Sequence, residues 1–349
     1  MQPIARILLA GAVTAATVAL GAQPAMAGGD SHIVLPGQSI QAAVDAAHPG
    51  DTIQLLPGTY DGGVKVTKHG ITIQGADGAT VLRPGGTNHC AQDAGPSGIC
   101  VIGVHGVTVR ALGVEGFEAF GVIGFKTDAL HVTAVHAVNN GEYGITEFES
   151  TRGEFVGNWV SGTKEDAGLY VGDIADAHGT KVVGNHTSGN ALGVLVRHAH
   201  NVVVSGNFVD GNCTGIALVD DGQAGGQGHT QVSANIVTGN NRFCPPSPDG
   251  VPPLQGTGIV LVGGQHNTVS ANKVDDNLGG PVPFPGGIVL VPGVTETGGP
   301  GAPAAHNLIK ANVAHGNLPA DIVDHSGSAT NVFEANVCGS SLPAGHCLP

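Results

Sequence analysis

The feature that most limits the fold of this chain is a two-part unit that returns along most of its length. The first part is a short aliphatic segment closing on Asn: Val182-Val183-Gly184-Asn185, Val202-Val203-Val204-Ser205-Gly206-Asn207, Gln231-Val232-Ser233-Ala234-Asn235, Thr268-Val269-Ser270-Ala271-Asn272 and Leu308-Ile309-Lys310-Ala311-Asn312. The second part opens on Gly and an aliphatic, at Gly144-Ile145, Gly168-Leu169, Gly193-Val194, Gly215-Ile216, Gly258-Ile259 and Gly287-Ile288. Successive members of this second series stand 24, 25, 22, 43 and 29 residues apart, so the basic coil is 22–25 residues with insertions in two coils. A unit this short cannot bury its apolar face alone and must stack on its neighbours. Its aliphatics alternate at period two, the pattern of strands, and helical spacing is missing after residue 50. The Leu-x-x-Leu-x-Leu frame of leucine-rich repeats is absent, and a propeller would need four-stranded blades of ~40 residues. The pattern therefore predicts an all-β protein, a single-stranded right-handed parallel β-helix (solenoid). Asn185, Asn207, Asn235, Asn272, Asn312 and Asn336 would then stack into a ladder at a tight corner, their amides bonding from coil to coil.

Composition agrees with a turn-rich but well-filled fold. The 58 glycines and 21 prolines sit beside a hydrophobic fraction of 41%, more than a disordered chain carries. Aromatics are only 4%, so the core is built from Val, Ile, Leu and Ala. The chain opens with Arg6, an apolar run from Ile7 to Leu20 and the small-residue site Ala25-Met26-Ala27, which reads as a signal peptide over residues 1–27 followed by a β-helix domain over 28–349. No stretch is long and apolar enough for a membrane span, so a secreted, monomeric protein is expected. The six cysteines fall into neighbours, Cys90 with Cys100, Cys213 with Cys244 and Cys338 with Cys347, though 15 connectivities remain open. No C-x-x-C is present, which argues against a cysteine-based zinc or redox site. Without the leader the formal charge is −15, from 12 basic and 27 acidic residues. Such a surface excludes nucleic acid as a partner, and it repels an anionic polysaccharide unless a divalent cation bridges the two.

The N-terminal portion reads as a cap. Residues 38–47 form a short amphipathic helix pattern with Ser39 as N-cap. It is followed by Gly50-Asp51-Thr52-Ile53 and Pro57-Gly58-Thr59-Tyr60. Together with Ser39-Ile40-Gln41, these segments resemble the opening of pectate-lyase-like β-helix proteins, and with the Asn and Gly-aliphatic repeats the resemblance covers nearly all of residues 33–340. That superfamily includes polysaccharide lyases, mannuronan epimerases and the periplasmic maturation factor of nitrous oxide reductase. The resemblance implies the fold strongly; its motifs build scaffold and carry no chemistry.

Chemistry is sought in the columns that stacking creates. Five residues beyond Gly121 and each Gly of the second series stand Lys126, Glu149, Asp173, His198, Asp220, Gly263 and Pro292, coil by coil and ~4.8 Å apart. Tyr170, Arg197 and Asp221 lie beside this column, and Glu165 and Asp166 approach from the neighbouring corner. Such a cluster suits proton abstraction next to a uronate carboxylate. His198 is the expected base, Arg197 or a bound Ca²⁺ the neutraliser, and Tyr170 the acid or opposite-face donor. Ca²⁺ would be held through Glu149, Asp173, Asp220 and Asp221, oxygen ligands of the kind it prefers. The competing chemistry is glycoside hydrolysis by a carboxylate pair such as Asp173 and Asp220, two rungs or ~9.6 Å apart.

The epimerases of the superfamily carry Tyr-Gly-x-Asp-Pro-His. Tyr170-Val171-Gly172-Asp173 keeps the Tyr and Asp, but Ile174 and Ala175 replace the Pro and His, and His178 comes three residues too late. No arginine pair of the pectate-lyase kind is seen. His178, His200, His229, His266 and His306 precede first strands at similar offsets and would form an edge ladder, with transition-metal binding as one use. The insertions are expected to break its register. Three functions follow: a polysaccharide lyase, epimerase or hydrolase; a non-catalytic solenoid binding carbohydrate or a cell-surface glycan; and a metal-handling accessory protein.

Overall fold

Each turn of the chain closes a triangle of three short strands, and residues 181–199 show why. Lys181–Val183, His186–Ser188 and Leu192–Ala199 are the three sides. Between them Gly184 and Gly189 adopt φ of +64° and +70°, left-handed corners that a side chain would strain. Val182, Thr187, Val194 and Val196 point inward and are fully buried, while the residues between them face out. Coils stack in parallel register, so that Val182, Val204, Val232, Val269 and Ile309 form one inward column. The computed structural model describes residues 29–247, 251–295 and 299–348; the expected signal peptide lies outside them. Among the described residues the strands form two parallel sheets, of 21 and 11 strands. The larger bends around a corner and supplies two faces of the solenoid, and the smaller supplies the third.

The protein is thus a right-handed parallel β-helix, as its repeat requires. The expected cap is the helix Ile40–Ala46, with Ser39 Oγ accepting from the Ala42 N–H at 3.1 Å. A second short helix, Ala91–Ala94, has no counterpart in the sequence pattern described above. Asp51, beneath the cap, accepts from the backbone of Asp30 and His48 and from His32 Nε2, each at 2.8 Å. The His32 bond, followed by those from the backbone, holds its carboxyl down at about 2.

The Asn ladder is present and begins one coil earlier, at Asn158. In each step the Asn Nδ2 and the backbone N–H both donate to Oδ1 of the next Asn, and Nδ2 also donates to a carbonyl one coil back. The bonds of Asn207 to Asn235 and of Asn235 to Asn272 measure 2.9–3.0 Å although the sequence separations are 28 and 37 residues. A second ladder, Asn190, Asn212, Asn240, Asn277 and Asn317, lines the next corner and ends on Asp321. Asn235→Ala should cost about 2 kcal/mol in a urea melt, because the buried amide and N–H groups of Asn207 lose their acceptor. A loss under a few tenths of a kcal/mol would show that the ladder is dispensable.

All three neighbouring cysteine pairs are joined, with Cα–Cα distances of 5.7, 5.9 and 5.2 Å. Disulfides persist in oxidising compartments, which indicates an extracellular or periplasmic protein. No helix among the described residues is long and apolar enough to cross a membrane. One inward position carries a carboxyl. Glu147 stands in the inward column of Val171, Val196, Leu218 and Leu261. Its Oε1 accepts from Thr180 Oγ1 at 2.8 Å, while Oε2 is buried with no hydrogen-bond partner. Burial pushes this carboxyl up to about 7.

Candidate functional site

On the outer side of the 11-stranded face, Tyr170, Leu195, Ala217 and Val260 are register partners and form an apolar floor. Tyr170 is only 1% exposed, packed against the rings of Tyr143 and Phe148 at 4.8 and 4.7 Å. Over this floor the insertions rise as walls. Leu254 and Val251 come from the segment tied down by the Cys213–Cys244 disulfide, Phe284 from the next coil, and Val294 and Thr295 from the one beyond. They enclose a cavity of about 590 Å³. The insertions, whose direction the sequence left open, therefore wall the groove beside the charged column.

That column keeps the expected register. The neighbouring pairs Phe125 with Phe148, Phe148 with Gly172, Gly172 with Arg197, and Arg197 with Val219 set Lys126, Glu149, Asp173, His198 and Asp220 on successive rungs. Lys126, Glu149, Asp173 and His198 all sit in the left-handed region, at φ +53°, +48°, +56° and +46°. The bend follows the strands Phe120–Phe125 and Tyr143–Phe148 at Lys126 and Glu149, and falls within Ala167–Ile174 and Leu192–Ala199 at Asp173 and His198. The same left-handed bend recurs at plain corners such as Ala234, Ala271 and Ala311, so it belongs to the turns of the solenoid.

Five of the expected site residues, Tyr170, Asp173, Arg197, His198 and Asp221, come together in one cluster. His198 Nδ1 bonds Asp173 Oδ1 at 2.9 Å, and His198 Nε2 bonds Asp221 Oδ1. Arg197 Nε lies 3.1 Å from Asp221 Oδ2, yet its N–H points off that line and makes no hydrogen bond. The Tyr170 hydroxyl lies beside Asp173 and adds a little to the lowering of its carboxyl. Gly172 permits this last contact, since a Cβ there would stand 2.2 Å from the Tyr170 oxygen. The His198 side chain is 2% exposed, against 35% for Asp173, 33% for Arg197 and 18% for Asp221. The His198 hydrogen bond, with the charges of His198 and Arg197, holds the Asp173 carboxyl below the ordinary range against its partial burial. Burial first, then the Asp173 charge, pushes the Tyr170 phenol far up.

This arrangement changes three of the expected roles. Both nitrogens of His198 are engaged, so the ring offers no free base while Asp221 is in place. Tyr170, expected as acid, lies buried beside Asp173 at 1% exposure. Asp220 occupies the expected rung, but its Oδ1 caps the Gly222 N–H at 2.9 Å. The loop after Asp220 is longer than a tight corner, and it carries Asp221 back onto His198 instead.

The carboxylates expected to hold Ca²⁺ do not converge. Glu149 pairs with Lys126 at 3.4 Å, Asp220 caps its own loop, and Asp173 and Asp221 are both held by His198. Among the described residues no group of three or more His, Cys, Asp or Glu is arranged to hold a metal ion. These residues do not fit Ca²⁺, and no step below runs through it. The histidine ladder survives the insertions, contrary to expectation. His229, His266 and His306 stack at 5.0 and 4.9 Å with His200 edge-on below at 5.4 Å, because the inserted residues leave the coil elsewhere. His178 stands apart, 3.6 Å from Asp176.

The family model described as right handed beta helix region matches residues 61–223 and 167–291. Among solved structures, the A-module of the mannuronan C-5 epimerase AlgE4 of Azotobacter vinelandii is similar at a TM-score of 0.58 and 14% identity, with 85% of this chain and 89% of that one covered. The A-module of AlgE6 from the same organism gives 0.55 and 16%, covering 86% and 90%. The periplasmic alginate epimerase AlgG gives 0.49 and 16%; the match takes 83% of this chain and spans 62% of that one. At these identities the likeness is one of fold. No curated protein matches the sequence.

Proposed function

The chain belongs to the right-handed β-helix family, and on that footing we propose that it acts on a polysaccharide laid along the walled groove, by proton abstraction at a uronate residue. The observation that carries this reading is the position of Asp173, Arg197, His198 and Asp221 together at the edge of that groove. The shared fold of the mannuronan epimerase modules supports the polysaccharide class.

In the proposed reaction the substrate carboxylate takes the place of Asp221 on Arg197, whose charge stabilises the enolate that develops at C5 and C6. His198 Nε2 is then free. Asp173, bonded to Nδ1, fixes the tautomer in which Nε2 carries the lone pair, and it stabilises the imidazolium formed on proton transfer. The C5 proton moves to Nε2, and its electron pair passes into the carboxylate-conjugated enolate. Either the C4–O bond then breaks, giving an unsaturated sugar and an alcohol protonated by solvent, or C5 takes a proton from solvent on its other face while His198 later returns its own to solvent. Hydrolysis is less well supported. It needs one carboxyl kept protonated by a raised pKa, whereas Asp173 is driven the other way.

The deciding experiment incubates the purified mature protein with pectate, alginate, hyaluronan, glucans and xylans. It reads unsaturated products, reducing ends and the proton NMR of the uronate residues. Turnover of a uronate polymer, unchanged by EDTA or added Ca²⁺, is expected. Binding without turnover across the panel would replace the enzyme with a glycan-binding solenoid, and turnover of neutral glucan alone would sink the uronate chemistry.

A further inference from the structure

Asp221 belongs to no strand of the repeat. It lies just past the groove strand Thr214–Val219 and opens a loop containing Gly222, Gly225 and Gly226, all at positive φ. The loop approaches the wall closely, so that a Cβ at Gly222 would meet Thr295 at 3.3 Å, and its glycines leave the backbone free to adopt other paths. The coil's own hydrogen bonding does not call for an acid here, yet the carboxylate of Asp221 sits between the Arg197 guanidinium and Nε2 of His198 at the groove's edge. It fills that seat imperfectly, since the buried Arg197 Nε–H is close to it and not aligned with it. An ionised carboxylate only accepts hydrogen bonds. A ring held between Asp173 and Asp221 has both nitrogens engaged and none free for a substrate.

We infer that Asp221 is a resident stand-in for the substrate's own carboxylate, closing the site until an anionic sugar displaces it. This rests on the proposed function for its substrate class and adds a control on the same site. The glycine-rich loop supplies the freedom to leave. Departure exchanges one carboxylate for another on Arg197, so the charge balance there is kept, whereas a neutral sugar could not compensate the abandoned guanidinium. The strongly acidic chain thereby reserves a cationic seat without presenting an open one. The seat is a device for selectivity as well as for silence: only a ligand that replaces the charge of Asp221 frees His198.

The test uses the full mature protein and the Asp221→Ala and Asp221→Asn variants, with D-galacturonate and D-glucuronate as anionic probes and D-galactose and D-glucose as neutral ones. Because a closed state lowers apparent affinity by the fraction of open molecules, both variants should bind the uronates about tenfold more tightly by calorimetry. Neutral sugars should show no gain, and adding Arg197→Ala should abolish it. On a turned-over polymer the gain should appear as a lower KM. Should wild type turn over a polymer while folded Asp221→Ala and Asp221→Asn bind uronates no better, the surrogate is disproved and the enzyme reading stands. Tighter uronate binding through Arg197 without any turnover would keep the surrogate and remove the enzyme. An equal gain for neutral sugars would overturn the surrogate, showing that the side chain merely obstructs the groove.

Discussion

Asp173→Asn is expected to lower turnover roughly 10²–10⁴-fold, the range spanned by general acid–base catalysis. His198 depends on Asp173 for its orientation, and the charge on Asp173 is what favours a proton on the ring during reaction. An amide of the same shape keeps a contact to Nδ1 but withdraws that charge. Asn is chosen over Ala because residue 173 sits at φ +56°, a region that Asn enters more readily than most residues. The melting temperature should therefore move by no more than a few degrees while activity collapses. The pH dependence follows from the depressed carboxyl of Asp173. A carboxylate whose folded value is lowered makes its contribution above the ordinary value of about 3.9, and loses it as pH falls through the lower one. The acid limb due to Asp173 should lie below pH ~4. Full activity in Asp173→Asn would remove His198 from the chemistry.

Glu147→Gln is expected to stabilise the protein at pH 8 and to do little at pH 4. The wild-type carboxyl titrates near 7 in the folded coil against a reference value of 4.5. Between these values the unfolded chain releases its proton while the folded one retains it, so rising pH penalises the fold progressively. Above pH 7 the penalty reaches about 3 kcal/mol, since each tenfold difference in proton affinity between the two states is worth about 1.4 kcal/mol. Gln preserves the size of the side chain and a partner for Thr180 Oγ1, and it has no charge to bury. Denaturant melts of both proteins at pH 4 and pH 8 decide the matter; an equal difference at the two pH values would mean that the buried charge is not the cause.

Both residues show where the repeat is readable and where it is not. Asp173 and His198 are legible in the sequence because the Gly-aliphatic anchors fix a common register, and stacking carries that register unchanged for five residues beyond the glycine. Asp221 can be placed only beside the column, because the loop after Asp220 leaves the repeat and its return path is set by tertiary packing. Glu147 escapes a search aimed at the groove, although its signal is present: it stands three residues after Gly144, where Val171, Val196 and Leu218 occupy the equivalent positions. The second Asn ladder is likewise legible in Gly189-Asn190, Gly211-Asn212 and Gly239-Asn240, which repeat the Gly-Asn of the first. The expectation that the histidine stack would fail equates an insertion in sequence with a shift in space. In a solenoid the added residues bulge outward from one corner while the next rung resumes its height.

The same property separates two kinds of change. Asn240, Asn277 and Asn317 hold their 2.9–3.0 Å spacing across intervals of 37 and 40 residues, although the intervening chain includes the groove walls. Lengthening or exchanging the segments around Leu254, Phe284 or Thr295 would alter what the cavity admits while the ladders hold the coils in register. The scaffold behaves as a rack with fixed shelves: the contents at its open side can be swapped, and the uprights carry no record of the exchange.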